Sequence, residues 1–327
     1  MKIFFRFIIT LLLTVPLAAV AASTSSFEAE PVDLFIKEMV KEHHFDAGKL
    51  RNVLNQAEKK QTILDAISRP AEGKLWHEYR PIFMTESRIR EGIKFWKKNK
   101  TILAAAEKKY GVPATIITAI IGVETRYGRF RGSYRVIDAL STLAFAYPKR
   151  AKFFRGQLKE FLIMAREEKM DPLMPLGSYA GAMGQPQFIP SSFRSYAVDF
   201  DGDGRRDLWD NMDDIIGSVA NYFSRHKWHA GEPVITRAKV GSSVPESLLK
   251  NGYKPSFKAA ILSDYKIKSS DNIPDDREVA LIALEQKQGH EYWIGFHNFY
   301  VITRYNHSPL YAMAVYQLSE AIRSGAM

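Results

Sequence analysis

The sequence predicts a mainly α protein of the α+β class, in which a small antiparallel β segment is inserted between two helical parts. Three observations predict it. Apolar residues recur at helical spacing between residues 27 and 227 and again between 298 and 322. Residues 233–294 instead hold short β-prone runs separated by Gly, Ser, Asn, Pro and Asp clusters. Within the first helical part stands an acid-rich loop, Asp199–Asp210, with the spacing of a calcium loop. The expected organisation is a leader at 1–21, a helical domain at 22–98, a helical core at 99–232, a small β-rich domain at 233–297, and a segment at 298–327 that returns to the core.

The leader MKIFFRFIITLLLTVPLAAVA carries Lys2 and Arg6, then an apolar run, then Ala19-Val20-Ala21 as a small-x-small cleavage site. It reads as a secretory signal peptide; Thr10, Thr14 and Pro16 interrupt the run, which argues against a retained membrane anchor. Cleavage would take the formal charge from +10 to +8 by removing Lys2 and Arg6. With no cysteine, an exported chain must fold without disulfides, and 46% hydrophobic residues over this length suffice for two or more packed domains. A pI near 9.5 outside the cytoplasm makes nucleic acid a poor partner and favours a polyanionic envelope such as a cell wall with free carboxylates. The same charge, scattered as it is, also serves plain solubility.

Residues 27–98 read as helices with apolar sets at Leu34, Phe35, Met39 and Val40 and at Leu50, Val53, Leu54, Ile63, Leu64 and Ile67, broken by Ser68-Arg69-Pro70. Trp76, Tyr79 and Phe83 form an aromatic row, a pattern more common in cores than in sites. A helix over Thr101–Tyr110 ends at Gly111, and Pro113 opens a second that Gly128 closes. On that second helix Ile116, Ile117, Ile120, Ile121 and Glu124 share one stripe. An acid at the end of an apolar stripe, in the last helical turn, has both desolvation and the helix dipole acting to raise its pKa. Such a group suits general acid chemistry; the structural alternative is an ion pair with Arg126, Arg129 or Arg131.

Further along, Val136, Ile137 and Leu140 begin one helix and Phe153, Phe154, Leu158 and Leu162 line another, with the basic pair Lys149-Arg150 at the turn between them. The stretch Asp171–Ser192 holds Pro172, Pro175, Pro186 and Pro190 and spaced glycines at 177, 181 and 184, so no long element fits. Its small residues let a backbone approach a ligand, and Ser178, Gln185 and Gln187 beside Tyr179 and Phe188 suit a sugar. In Asp199–Asp210, acids at loop positions one, three, five, nine and twelve with Gly204 at six match an EF-hand loop. Ligands would be Asp199, Asp201, Asp203, the Arg205 carbonyl, Asp207 and Asp210. Position twelve is Asp rather than Glu, and position eight is Arg206 rather than an apolar residue, which argues for a structural ion rather than a paired sensor. A helix over Asp213–Lys227 follows. The runs PVITRAKV, KAAILS, EVALIALEQ and EYWIGF are expected as strands, and NFYVITRYN and Leu310–Ile322 as helices that bring Tyr305, Asn306 and Tyr311 toward a site.

Taken in order, GVETRYG, YAGAMGQPQFIPSS, the DxDxDG loop, GSVANYF and ITRYNHSPLYAMAVYQL resemble the membrane-bound lytic murein transglycosylase B family, glycoside hydrolase family 103, over residues 30–325. The resemblance implies a lysozyme-like core with a helical domain, a small β domain and a structural calcium ion, and no organic cofactor. It implies cleavage of the β-1,4 bond between N-acetylmuramic acid and N-acetylglucosamine of peptidoglycan, leaving 1,6-anhydromuramic ends. Glu124 is then the single catalytic acid/base, and Ser178 and Gln187 contact the glycan. Tyr79, Tyr222, Tyr305, Asn306 and Tyr311 line the sugar-binding wall, and Lys149 with Arg150 meets stem-peptide carboxylates. Lys149 stands where Arg is more usual, so it offers a point charge in place of a bidentate fork. Glycan strands and stem peptides are the implied partners, a wall-synthesis complex being a further one. Lacking a lipobox cysteine, the chain resembles a soluble periplasmic member rather than a lipoprotein.

Three other readings fit parts of the sequence. A two-carboxylate muramidase would need a second acid, for which Asp138 is the nearby candidate. A non-catalytic wall-binding protein would use the aromatics and the basic pair, and a calcium-dependent structural protein only the loop.

Overall fold

Helical periodicity becomes helices through the first two thirds of the chain. The computed structural model describes residues 26–68, 74–241, 244–250 and 252–326; the leader at 1–21 and the break at Arg69-Pro70 lie outside the described residues. First come α1 (Ala29–His43), α2 (Ala47–Asn55), α3 (Gln61–Ile67), α4 (Trp76–Phe83) and α5 (Glu86–Lys98). They are followed by α6 (Lys100–Tyr110), α7 (Ala114–Thr125), the short strand β1 (Tyr134–Arg135), α8 (Val136–Ala146) and α9 (Ala151–Glu167). Strand β2 (Leu176–Gly177) pairs with β1 through Tyr134↔Gly177 and Arg135↔Leu176, before α10 (Pro190–Tyr196) and α11 (Met212–Arg225). Local chemistry sets the ends. Asp46 accepts from the Lys49 N–H at 2.7 Å to start α2, Thr85 accepts from Arg88 N–H at 3.2 Å to start α5, and Gly111 ends α6 at φ 73°. Among the described residues, no helix is long and apolar enough to cross a membrane.

The expected strand region is a five-stranded antiparallel sheet in the order β4-β6-β7-β3-β5: β3 (Ile235–Val240), β4 (Phe257–Lys258), β5 (Ile267–Ser269), β6 (Glu278–Glu285) and β7 (His290–Gly295). Short helices α12 (Glu246–Lys250) and α13 (Ile261–Asp264) lie within it. One expected strand is corrected. KAAILS contributes only Lys258 to pairing, because Ala259 and Ala260 turn to donate to the Arg277 and Asp275 carbonyls at 2.8 and 3.0 Å, and the next residues close into α13. The run EVALIALE is apolar almost without alternation because the two faces of β6 enter different cores. Val279 and Leu281 pack in a small cluster with Ala238, Leu262, Ile267, Ile294 and Phe296, whereas Ala280, Ile282 and Leu284 join the main helical core. The sheet is thus packed onto the helical body through β6, its second strand. The chain then re-enters that body as α14 (His297–Ile302) and α15 (Pro309–Ala326).

At the centre stands α7. Helices α5, α6, α11 and α15 all pack against it, and residues 116–123 are buried on every side. The isoleucine stripe seen in the sequence is therefore one part of a helix that is apolar all round, as burial requires. Its bounds differ from expectation at both ends. Pro113 sits just before the first helical residue, at φ −57° and ψ 134°, and the helix stops at Thr125 rather than near Gly128. Arg126, Tyr127 and Gly128 follow with φ of 51°, 59° and 87°, three consecutive left-handed residues that reverse the chain immediately after Glu124.

Candidate active site

Glu124 is the next-to-last residue of α7, partly open to solvent at the edge of a cluster of tyrosines. The Tyr311 hydroxyl, from α15, donates to Glu124 Oε1 at 2.5 Å. The Tyr311 ring lies parallel to Tyr305 at 6.4 Å, Tyr305 meets Tyr222 at 4.7 Å, and Tyr222 stacks on the His226 ring at 4.1 Å. Tyr79, from α4, faces the same carboxylate and packs on Phe83 at 5.1 Å. Four of the residues the sequence assigned to a sugar wall, Tyr79, Tyr222, Tyr305 and Tyr311, are therefore brought together around the acid. Asn306 is exposed at the rim, its carbonyl accepting from Ser308 N–H at 2.7 Å.

The cluster sets the charge of Glu124. Burial among Tyr rings and isoleucines raises its pKa to about 7, and the hydrogen bond from Tyr311, which favours the carboxylate, only partly offsets this. The same arrangement raises the tyrosines. Tyr79 is pushed up to about 12, and Tyr305 and Tyr311 well above their ordinary value, first by burial and then by the facing carboxylate. The alternative reading, an ion pair between Glu124 and a neighbouring arginine, is not what the structure shows. Arg126 is bound in bidentate fashion by Glu91 at 2.7 and 2.8 Å, Arg131 pairs with Asp210 at 2.8 Å, and Arg129 lies over the Phe130 ring.

The helix end that carries Glu124 is clamped by α5. Arg88 donates to the Gly122 carbonyl at 2.8 Å, and Tyr127 donates back to the Arg88 carbonyl at 3.0 Å. The Tyr127 ring fills a slot between Gly92 and Gly122; a Cβ on either would stand 2.4 or 2.6 Å from its hydroxyl oxygen. Opposite this clamp lies the 177–188 loop. Ser178 Oγ accepts from the Ala182 N–H at 3.0 Å and shapes the loop, and Gln187, at φ 52°, donates to the Arg131 and Gly184 carbonyls at 3.2 and 2.9 Å. Gln185 joins three parts. Its carbonyl accepts from Thr125 Oγ1 at 2.9 Å beside Glu124, its N–H donates to Leu208 O at 2.8 Å, and its side-chain amide to Trp209 O at 3.1 Å. Tyr305 donates to the Pro186 carbonyl at 2.6 Å. The backbone role of Gln185 and Thr125 has no signature in composition or spacing, and sequence reasoning missed it.

In the acid-rich loop, carboxylate oxygens of Asp199, Asp201 and Asp203 lie within 4.8 Å of one another, a hard-oxygen donor set that fits a calcium ion. The other expected acids are engaged elsewhere. Asp207 accepts from the Trp209 and Asp210 N–H groups at 2.7 and 3.1 Å, and Asp210 is held by Arg131. The Arg205 N–H donates to Asp203 at 2.9 Å. Arg206, at the position where an apolar residue was expected, is paired with Glu168 at the end of α9. The sequence also missed Asp214, which is fully buried and accepts from Phe200 and Asp207 N–H at 2.7 and 2.8 Å, bracing the two sides of the loop.

Lys149 and Arg150 are exposed on a 3-10 turn at Pro148–Arg150. Arg150 lies over the rings of Phe153 and Phe154, and among the described residues neither side chain pairs with a carboxylate. Asp138 is buried. It receives Arg135 through two 2.8 Å bonds and the Glu58 N–H at 2.8 Å, and so ties the α2–α3 connection to α8.

A family model described as Transglycosylase SLT domain matches residues 27–320. The chain belongs to that family. This SLT-domain chain is 44% identical, over 298 residues, to membrane-bound lytic murein transglycosylase B of Escherichia coli (strain K12), covering 88% of the chain and 81% of that protein. Its structure is similar to that of soluble lytic transglycosylase SltB1 from Pseudomonas aeruginosa, with a TM-score of 0.86, 51% identity, and 91% and 99% of the two chains covered. It is also similar to Escherichia coli Slt35 in complex with calcium, with a TM-score of 0.86, 41% identity, and 96% and 99% covered.

The hydrogen bond from Tyr311 stabilises ionised Glu124, so Tyr311→Phe must raise the Glu124 pKa further. Activity that needs protonated Glu124 falls as pH rises through that pKa. The alkaline limb of the pH–rate profile is therefore expected near 7 in the parent and at higher pH in Tyr311→Phe; an unmoved limb, or one at lower pH, contradicts the arrangement.

Proposed function

We propose that this SLT-domain chain is a peptidoglycan lytic transglycosylase, cleaving the β-1,4 bond between N-acetylmuramic acid and N-acetylglucosamine with Glu124 as its only catalytic carboxyl. The observation that carries the reading is an acid whose pKa burial raises to about 7, hydrogen-bonded by Tyr311 and, among the described residues, without a second carboxylate against it. Protonated Glu124 donates to the glycosidic oxygen as the bond to the muramic C1 breaks. The substrate's own N-acetyl carbonyl stabilises the cation, and Tyr305 and the Ser178–Gln187 loop orient it. Ionised Glu124 then takes the proton of the muramic C6 hydroxyl, which attacks C1 within the same sugar. That attack is intramolecular, so proximity favours it over water. A two-carboxylate muramidase is disfavoured because Asp138 is already committed to Arg135 and the Glu58 N–H.

The remaining assignments belong to the same reading. Lys149 and Arg150, cationic and unpaired by carboxylates, bind stem-peptide carboxylates. A calcium ion held by Asp199, Asp201 and Asp203 neutralises their mutual repulsion and fixes the loop. The leader exports the chain to the periplasm, and the β-rich segment at 233–297 is an insertion in the catalytic body.

Digestion of purified sacculi, followed by mass spectrometry, tests the chemistry. The parent is expected to release muropeptides lighter by one water than their hydrolysed equivalents. Glu124→Gln should remain folded and lose about a thousandfold or more in turnover, while Asp138→Asn keeps its product type. Reducing-end muramic products would assign the chain to hydrolysis instead. For the metal, millimolar calcium added after EDTA should raise the melting temperature by a few degrees, ~2–3 kcal/mol at a hundredfold excess over Kd, and Asp203→Ala should abolish the rise. An unchanged parent melting temperature would remove calcium from the assignment.

A further inference from the structure

A cleft of about 540 Å³ opens beside the β1–β2 ribbon, between it and the acid-rich loop. Its lining is mixed: Met174, Leu176 and Trp209 are apolar, while Glu168, Arg131 and Asp210 are charged. Several of these groups are hydrogen-bonded in place. The Trp209 indole N–H donates to the Leu176 carbonyl at 2.9 Å, and its own carbonyl accepts from Arg131 and Gln185 at 2.7 and 3.1 Å. The Asp210 and Glu168 carboxylates are oriented by Arg131 and Arg206. Met174 and Leu176 are 70% and 46% exposed, an apolar edge open to solvent beside a cavity.

Through Arg131 and Gly132 the cleft borders the 177–188 loop, which also reaches the candidate active site. Arg131 lines it with its side chain while its carbonyl accepts from Gln187 at 3.2 Å. Gly132 lies so close to the loop that a Cβ there would stand 2.0 Å from the Gly177 carbonyl oxygen and 2.5 Å from Ser178 N. Two further exposed aromatics flank that contact, Phe130 at 59% and Tyr179 at 38%.

We propose that this cleft is an accessory subsite for the glycan strand, holding an N-acetylhexosamine ring beyond the sugars at the cleaved bond. The pyranose has an apolar CH face for Trp209 and Leu176, and hydroxyl and acetamido donors for the carboxylates of Asp210 and Glu168. The same walls hold Glu168, Asp207 and Asp210 against Arg131, Arg205 and Arg206, so they offer a carboxylate-rich stem peptide no net attraction. The inference rests on the glycan-cleaving reading above.

Calorimetric titration of the full Glu124→Gln chain with β-1,4-linked N-acetylglucosamine oligomers, from dimer to hexamer, tests it. Affinity should rise about tenfold from the short to the long oligomers, the size of one well-placed stacking contact. Adding Met174→Glu and Leu176→Glu, both at exposed positions, should remove that rise while leaving dimer affinity and melting temperature unchanged. In parallel, the Trp209 indole N–H resonance of the unaltered cleft should shift with hexamer and not with dimer. A length-dependent rise that persists in the double variant, an unmoved Trp209 signal, or displacement of the hexamer by sugar-free stem peptide would overturn the subsite. Failure of the wild-type chain to form anhydro products would overturn the catalytic reading and leave these binding results standing.

Discussion

Desolvation of one carboxyl, Glu124, is the constraint on which the candidate site depends. A helix buried on every side, packed between α5, α6, α11 and α15, can end at a solvent-facing site only if the chain turns away at once. The left-handed residues Arg126, Tyr127 and Gly128 make that turn, and Arg88, Glu91 and the Tyr127 ring hold it. Glu124 is left at the boundary, with isoleucines behind it and tyrosines in front. In that setting its charged form loses hydration that no arginine replaces, so it keeps its proton near neutrality. Tyr311 tempers the effect. Without that hydrogen bond the acid would hold its proton more tightly.

The other parts of the fold serve this boundary. The 177–188 loop is anchored by Gln185 to Thr125 on one side and to Leu208 and Trp209 on the other, so the acid-rich loop and α7 share a hydrogen-bonded strut. Asp214 beneath the acid-rich loop and Arg206 beside it fix that strut's far end. The sheet contributes mass rather than chemistry. Ala280, Ile282 and Leu284 on one face of β6 extend the core that supports α15, and with it Tyr311.

Much of this was legible in the sequence where a single periodicity or spacing carries the information. The isoleucines of α7, the Gly111 cap and the DxDxDG loop are local signals, and each appears in the structure. The failures are equally physical. The end of α7 was misplaced because Gly128 is the residue expected to take a positive φ, whereas tertiary contacts to α5 force Arg126 and Tyr127 there first. KAAILS reads as a strand by composition, but pairing is settled by partners, and Arg277 and Asp275 turn it away. Asp138 and Asp214 look like any surface acid in a first helical turn; only the fold reveals that each is buried and accepts from backbone N–H, Asp138 from Glu58 and Asp214 from Phe200 and Asp207. The tyrosine wall came from resemblance of motifs, since four tyrosines spread from residue 79 to 311 carry no spacing rule at all.

The protonation state of Glu124 can be measured without substrate. Titration of the carboxyl ¹³C resonances in glutamate-labelled protein, with Glu124→Gln to assign the signal, gives its pKa in the folded chain. A midpoint near 7 is expected, moving upward in Tyr311→Phe. A midpoint in the ordinary carboxylate range, between about 4 and 5, would show that the site does not hold the proton and would contradict a mechanism in which Glu124 acts alone.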